Sequence, residues 1–199
     1  VDLKRDLILS SEHIENLTEI VGPANVTTDG YERVKYSSGK TSEEMMELSR
    51  GHVREISDLV VHPRHKDDVR EIVLYCNAAH IPVYVFSGGS SVTLGLRPAK
   101  GGITLALATH MNRLLEFNET NQTARVQPGM MGPAYESALN QAPERFMPKR
   151  RYTCGHFPQS FEHSTVGGWV AALSSGQAST YYGDAADMVI SQEYVTPSG

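Results

Sequence analysis

An α+β fold is predicted, and three observations carry the prediction. First, "DLVVHP" at 58–63, "DDVREIVLYCNAAH" at 67–80 and "IPVYVF" at 81–86 read as strand, helix and strand. A helical crossover of that length joins parallel strands, so the three form a βαβ unit. Second, the strand-like runs "GITLAL", "ETNQTARVQPG" and "MVISQEYVTP" are interspersed with the helix-like "PAYESALNQ" and "VGGWVAALSSG". Third, 199 residues at 40% hydrophobic content can bury the core of one large or two small domains.

The elements follow in order. "EHIENLTEIVG" keeps Ile14, Leu17, Ile20 and Val21 at helical spacing, and Gly22-Pro23 ends the helix. Residues 31–53 are polar and turn-rich, with helical composition from Glu43 to Leu48, and suit a lead-in over the surface. Residues 1–56 are therefore taken as a lead-in and 57–199 as the main domain, divided into 57–127 and 128–199. In the crossover helix Val69, Ile72, Val73, Cys76 and Ala79 face inward. The closing "EYVTPSG" resembles a strand meeting a turn, which is the expectation for a piece of a longer protein.

Composition narrows the function. Eighteen basic residues against 23 acidic ones give a net charge of −5, which argues against a nucleic-acid partner. No apolar run reaches membrane-spanning length, and Val1-Asp2-Leu3-Lys4 lacks a secretory profile; a cytoplasmic protein is expected. Cys76 and Cys154 are too few for a disulfide framework and read as free thiols. Asn-x-Thr triplets at Asn16, Asn25, Asn118 and Asn121 carry little weight without a secretory signal.

The strand at 81–86 runs into "SGGSS". Gly88 and Gly89 let backbone N–H groups approach a ligand, Ser90 and Ser91 add hydroxyls, and such a nest favours anions, phosphate above all. An ordinary flexible turn has the same composition. No Gly-x-Gly occurs, and Gly39-Lys40-Thr41 has Val34 where a P-loop needs glycine, so neither familiar nucleotide motif is present. Cys154, His156 and His163 lack the paired spacing of a structural zinc site, and no metal is expected. His156 and His163 read as surface histidines or as polar contacts near a ligand. Lys149-Arg150-Arg151 reads either as a solvated loop after Pro148 or as a device steering an acidic or phosphorylated small-molecule substrate.

A second stretch, "GHFPQSFEHSTVGGWVAALSSGQASTYYGDAADMVISQEYVTPSG", spreads glycines around a helix-like segment. Taken in order with "IPVYVFSGGSSVTLG" and "THMNRLLEFNETNQTARVQPG", it resembles the FAD-binding domain of the vanillyl-alcohol oxidase and p-cresol methylhydroxylase superfamily. Within it, "GHxPxS…STVGGW", with Trp169 after the glycine pair, is most similar to alkyldihydroxyacetonephosphate synthases and their bacterial FAD-linked oxidase cousins.

The resemblance implies a two-subdomain FAD-binding fold of the p-cresol methylhydroxylase type, with a βαβ-containing first part and a piece of a second mixed sheet. It assigns Val85, Phe86, Ser87, Gly88, Gly89, Ser90 and Ser91 to the FAD pyrophosphate. No Lys or Arg lies between 83 and 96, as suits backbone recognition of the anion. It assigns Gln159, Ser160, Phe161, Glu162, His163, Ser164 and Thr165, then Ala172, Leu173, Ser174 and Ser175, to the isoalloxazine edge and ribityl chain. Gly167 and Gly168 would bring a helix N-terminus with unpaired N–H groups toward the flavin, unless they serve only tight helix packing. His110 would lie near the edge of the flavin pocket. Ser90 stands where many members carry the histidine that bonds FAD, so non-covalent FAD is expected. The implied activity is oxidation of a small hydroxy acid or alcohol by hydride transfer to flavin N5. The alternatives are a synthase-like transfer through a flavin N5 adduct and a flavin-binding regulatory module. No catalytic residue is assigned, and a homodimer is left open.

Overall fold

The computed structural model describes residues 6–199 apart from positions 54 and 148; residues 1–5 and 54 of the predicted lead-in, and Pro148 before the basic run, lie outside the described residues. The chain packs as two units, one running to His110 and including Tyr194–Gly199, the other Met111–Glu193.

In the first unit Ser10 caps α1 (Ser11–Val21), its hydroxyl accepting from His13 N at 3.4 Å, and Gly22 ends the helix at φ +83°. There follow β1 (Val26–Thr27), α2 (Gly30–Lys35), α3 (Ser42–Ser49), β2 (Leu59–Val61), α4 (Lys66–Ala78), β3 (Val83–Phe86) and β4 (Ile103–Ala106). The sheet order is β1-β2-β4-β3. The predicted strand-helix-strand unit is present and parallel, but β2 and β3 are not neighbours. β4 lies between them, with Ile103 in register with both Leu59 and Val83. All four β4 residues are buried, as an apolar run paired on both edges should be.

The residues before position 57 are more than a lead-in. Leu17 and Val21 of α1 are fully buried against Leu59, Ile72, Cys76 and Leu105, because an amphipathic helix must place its apolar stripe on a core. β1 then adds antiparallel to β2, with Val26 opposite Val61.

A buried polar network ties this region to the sheet. The Asp58 carboxylate, fully buried, accepts from Gly102 N at 2.9 Å and Ile8 N at 3.1 Å, and lies 3.9 Å from the buried Arg33 guanidinium. Arg33 Nε donates to Ser57 O at 2.9 Å, and Ser57 N donates to Ser37 Oγ at 3.0 Å.

In the second unit β5 (Leu114–Asn118) and β6 (Thr123–Val126) form an antiparallel hairpin. α5 (Gly132–Asn140), α6 (Ala142–Phe146), α7 (Val166–Ala171), α8 (Ser179–Tyr182) and α9 (Ala185–Met188) follow. Leu114, Met130, Ala138 and Leu139 form its core, flanked by Phe117 and Tyr152 with ring centroids 4.9 Å apart. The predicted strand over 119–129 shortens to β6, because the Asn118 side chain accepts from Asn121 N at 2.9 Å and turns the chain there; β5 was not foreseen. The run "MVISQEYVTP" is not a strand. α9 takes its first residue, and Ile190 and Tyr194 are 80% and 72% exposed and belong to no strand among the described residues. The mixed second sheet is, among the described residues, a two-stranded hairpin and one bridge between Met131 and Thr165.

Candidate functional site

The first predicted set lies at the carboxyl end of β3, an edge strand. Phe86 turns inward, its ring 5.0 Å from Tyr36 and nearly perpendicular to it, while Val85 is 55% exposed. Gly89 has φ +68°, and a Cβ there would sit 2.2 Å from Phe86 Cζ, so only glycine fits. The backbone N–H groups of Gly88, Gly89, Ser90 and Ser91 meet no acceptor among the described residues. Consecutive unpaired N–H groups around a left-handed residue make an anion-binding concavity.

The loop is braced from a segment whose role sequence reasoning left open. Ser91 O accepts from Lys40 N at 2.7 Å. Beside it Thr41 and Glu44 form a capping box at the start of α3, and Glu44 also accepts from Gly39 N at 2.9 Å. Burial alone would raise the Glu44 carboxyl, but these bonds to Gly39 and Thr41 prevail and hold it below the usual range. The Thr41-x-x-Glu44 spacing was the available signal. Ser91 Oγ is engaged in the loop's own turn, accepting from Gly95 N at 3.3 Å.

The second predicted set lies in the other unit and divides into scaffold and surface. Ser164 Oγ accepts from Trp169 Nε1 at 2.6 Å, both residues buried, and Thr165 caps α7. The expected open helix N-terminus is not there. Val166 N donates to Met130 O and Gly167 N to Pro128 O, each at 2.9 Å, and Gly168 N to Thr165 Oγ1 at 3.4 Å. A Cβ on Gly167 would lie 2.6 Å from Pro128 Cβ, so this glycine serves packing of α7 on that segment. Gly168 is exposed, and a Cβ there would approach only Thr165 Oγ1, at 3.3 Å. Gln159, Glu162 and His163 are exposed and Ser160 and Phe161 half-buried; Phe161 stacks on Trp169 at 5.9 Å.

α7 ends five residues short of the predicted helix. Ser174 N donates to Trp169 O at 2.9 Å and Leu173 N to Val170 O at 3.2 Å, the paired bonds of a Schellman turn. Its left-handed position, ordinarily glycine, is occupied by Leu173 at φ +49° and 66% exposure. Leu173→Gly is expected to raise the stability of the cofactor-free protein by about 1 kcal/mol, the relief of a left-handed side chain less glycine's unfolded-state entropy. An unchanged or lower denaturation midpoint would refute this. The turn brings Ala172, Leu173 and Ser175 to the surface, and Gln159 and Ser175 line one shallow depression with Gly176 and Gln177.

Other sequence candidates lie elsewhere. His110 Nε2 bonds Asn25 Oδ1 at 2.8 Å, and His62 Nδ1 bonds Thr109 Oγ1 at 2.7 Å. Burial, with His110 nearby, pushes the His62 imidazole down. His156 is buried rather than on the surface, and burial lowers it too, although Asp184 acts the other way. Burial pushes the Cys154 thiol up to about 12, which disfavours the thiolate. In the basic run Arg151 bonds Asn140 O and Glu144, each at 3.0 Å, which accounts for it as surface structure. No helix among the described residues is long and apolar enough to cross a membrane.

Residues 57–199 match the FAD binding domain family. The alkyldihydroxyacetonephosphate synthase of Dictyostelium discoideum is 31% identical over 190 residues, covering 94% of this chain and 30% of that protein. The glycolate oxidase subunit GlcD of Bacillus subtilis is 30% identical over 185 residues, covering 93% of this chain and 36% of that protein. A solved alkyldihydroxyacetonephosphate synthase superposes with a TM-score of 0.90 at 29% identity, over 98% of this chain and 38% of its own. p-Cresol methylhydroxylase with substrate bound shares the fold, with a TM-score of 0.50 at 21% identity over 64% of this chain and 24% of its own. The chain thus spans about a third of the length of the curated relatives it matches.

Proposed function

The chain belongs to the FAD-binding domain family, and from that membership we propose that it is the part of an alkyldihydroxyacetonephosphate synthase-like flavoenzyme that holds FAD. The observation that carries the cofactor reading is the row of N–H groups from Gly88 to Ser91 without internal acceptors, in a stretch free of Lys and Arg. These residues fit a pyrophosphate. Backbone donors neutralise such an anion without a side-chain charge, and Gly89 sets the curvature that lets them converge. In the second unit, taken by itself, the exposed Gly168 and the turn Ala172–Ser175 offer close approach and serine hydroxyls, in line with the resemblance that assigns them to a flavin. FAD supplies the redox or group-transfer chemistry when bound; the chain's own residues bind it, orient it and hold its phosphates.

The synthase reading is supported by likeness to that solved structure along nearly the whole chain and by Trp169 after the glycine pair. The Bacillus subtilis relative favours a second reading, a hydroxy-acid oxidoreductase. Residues 57–199 carry the FAD-binding domain match in either case, and α1 and β1, from before residue 57, complete the core and sheet of its first unit. The substrate is a small molecule, acidic or phosphorylated. Cys76 and Cys154 are free, which suits a reducing compartment such as the cytoplasm.

The test uses full-length protein. Its visible spectrum should show flavin, and acid precipitation should release all of it to the supernatant, because Ser90 cannot form a histidyl link. Yellow colour in the pellet would overturn the non-covalent assignment. Exchange of a labelled fatty alcohol into acylated dihydroxyacetone phosphate supports the synthase reading; anaerobic bleaching by a 2-hydroxy acid supports the oxidoreductase. Protein that is colourless and takes up no FAD would defeat both.

A further inference from the structure

We propose that His156 is a positioning residue for the cofactor, donating from Nε2 to the Ser174 oxygen and so committing the Ser174 O–H to an acceptor atom of FAD. The proposal rests on the FAD reading above and concerns a residue that the resemblance did not place in the site.

His156 is 2% exposed, its Nε2 lies 2.7 Å from Ser174 Oγ, and its ring stands 5.0 Å from Trp169 at a steep angle. Its Nδ1 is buried and meets no hydrogen-bond partner. That orphan decides the tautomer. A proton on Nδ1 would bury an N–H donor with nothing to receive it, whereas a proton on Nε2 leaves only a bare acceptor there. Orphaned buried donors are the rarer and costlier case. The proton therefore sits on Nε2, and the bond to Ser174 runs from imidazole to hydroxyl. Burial pushes the imidazole down and favours the neutral ring, although Asp184 pulls the other way.

The direction of that bond has a consequence at the surface. Ser174 cannot donate to His156, so its proton needs another acceptor, and the residue is only half-buried. The residue is fixed at three points, two on its backbone and one on its hydroxyl. Ser174 N donates to Trp169 O at 2.9 Å, Ser174 O accepts from Ala185 N at 3.0 Å, and the imidazole holds the side chain. The same anchors keep Leu173 left-handed, a strained conformation that surrounding structure must impose. FAD offers carbonyl oxygens, ring nitrogens and phosphate oxygens, all acceptors. A serine hydroxyl held with its proton directed outward matches any of them.

The experiment uses full-length protein. In the cofactor-free state, imidazole nitrogen NMR, with His156 assigned by loss of its signals in His156→Gln, should show a neutral ring protonated at Nε2 at pH 7. FAD titration by fluorescence should give about tenfold weaker Kd for His156→Leu and for Ser174→Ala. The double variant should be no weaker than either single, since one contact is lost in all three. His156→Gln, which keeps an N–H near the Nε2 position, should bind within about threefold of wild type, the scale of less than one hydrogen bond. A ring protonated at Nδ1, a Ser174→Ala variant that binds FAD like wild type, or losses that add in the double variant would each overturn the proposal. A purely structural role would lower the denaturation midpoint of His156→Leu without this coupling to Ser174. Wild-type protein that binds no FAD defeats the family-based reading itself, and the tautomer result then stands apart from it.

Discussion

Asp58→Ala is expected to destabilise the protein by about 4 kcal/mol, the scale for removing one partner of a buried ion pair. Asp58 is fully buried and the Arg33 side chain 5% exposed, so deleting the carboxylate removes a counter-charge 3.9 Å from a guanidinium held in the interior. Gly102 N and Ile8 N lose their acceptor in the same step. Asp58 sits one residue before β2, and Gly102 one residue before β4, so the variant loosens the start of the central parallel pair. Asp58→Asn should cost less, because one oxygen is retained. Arg33→Met combined with Asp58→Leu should recover much of the loss, because no buried charge is left alone. Urea denaturation of the three variants separates the terms. A single alanine variant within 1 kcal/mol of wild type would mean that water reaches Arg33 and the network is not dry.

The parts of the fold visible in the sequence were those with local signals. Helix α1 has Ser10 before it and Gly22 after it, and α4 shows apolar residues at helical spacing, so both were placed within a residue or two. The order of strands was not visible, because nothing local says that "ITLA" inserts between β2 and β3; its burial on both edges is a tertiary fact. The network of Arg33, Ser37, Ser57 and Asp58 was hidden for the same reason, since its members are ordinary surface residue types until the fold joins them. The run "MVISQEYVTP" shows the opposite failure: strand composition without a neighbouring strand does not make a ladder.

The candidate site divides along similar lines. "SGGSS" at a strand's end read equally as an anion nest or an ordinary turn, because both have the same composition; what the sequence could not show is that the N–H groups from Gly88 to Ser91 meet no acceptor among the described residues. The glycine pair at 167–168 was legible as a place of close approach, but not as two different devices. Gly167 packs against Pro128, while Gly168 faces outward. His156 read as a surface histidine because its burial depends on Trp169 and Ser174, which the chain brings to it only on folding.

Gly89→Ala is expected to cost about 3 kcal/mol of stability and to abolish measurable FAD binding at micromolar cofactor. Two penalties combine: a left-handed non-glycine residue at about 1–2 kcal/mol, and a methyl group forced into a packed ring at about 1–3 kcal/mol. The added Cβ would meet Phe86 Cζ at 2.2 Å and Cε1 at 2.9 Å, well inside van der Waals contact. Phe86 cannot swing aside freely, since it is 9% exposed and Tyr36 stands against it at 5.0 Å. Relief must then come from the backbone, which shifts the N–H groups of Gly88 to Ser91. A Phe86→Leu change in the Gly89→Ala background separates the two effects. It makes room for the methyl group and should restore part of the stability, yet the φ strain stays and FAD binding should not return. Recovery of FAD binding in that double variant would mean that the loop tolerates a left-handed alanine, and that the clash with Phe86 alone makes glycine necessary.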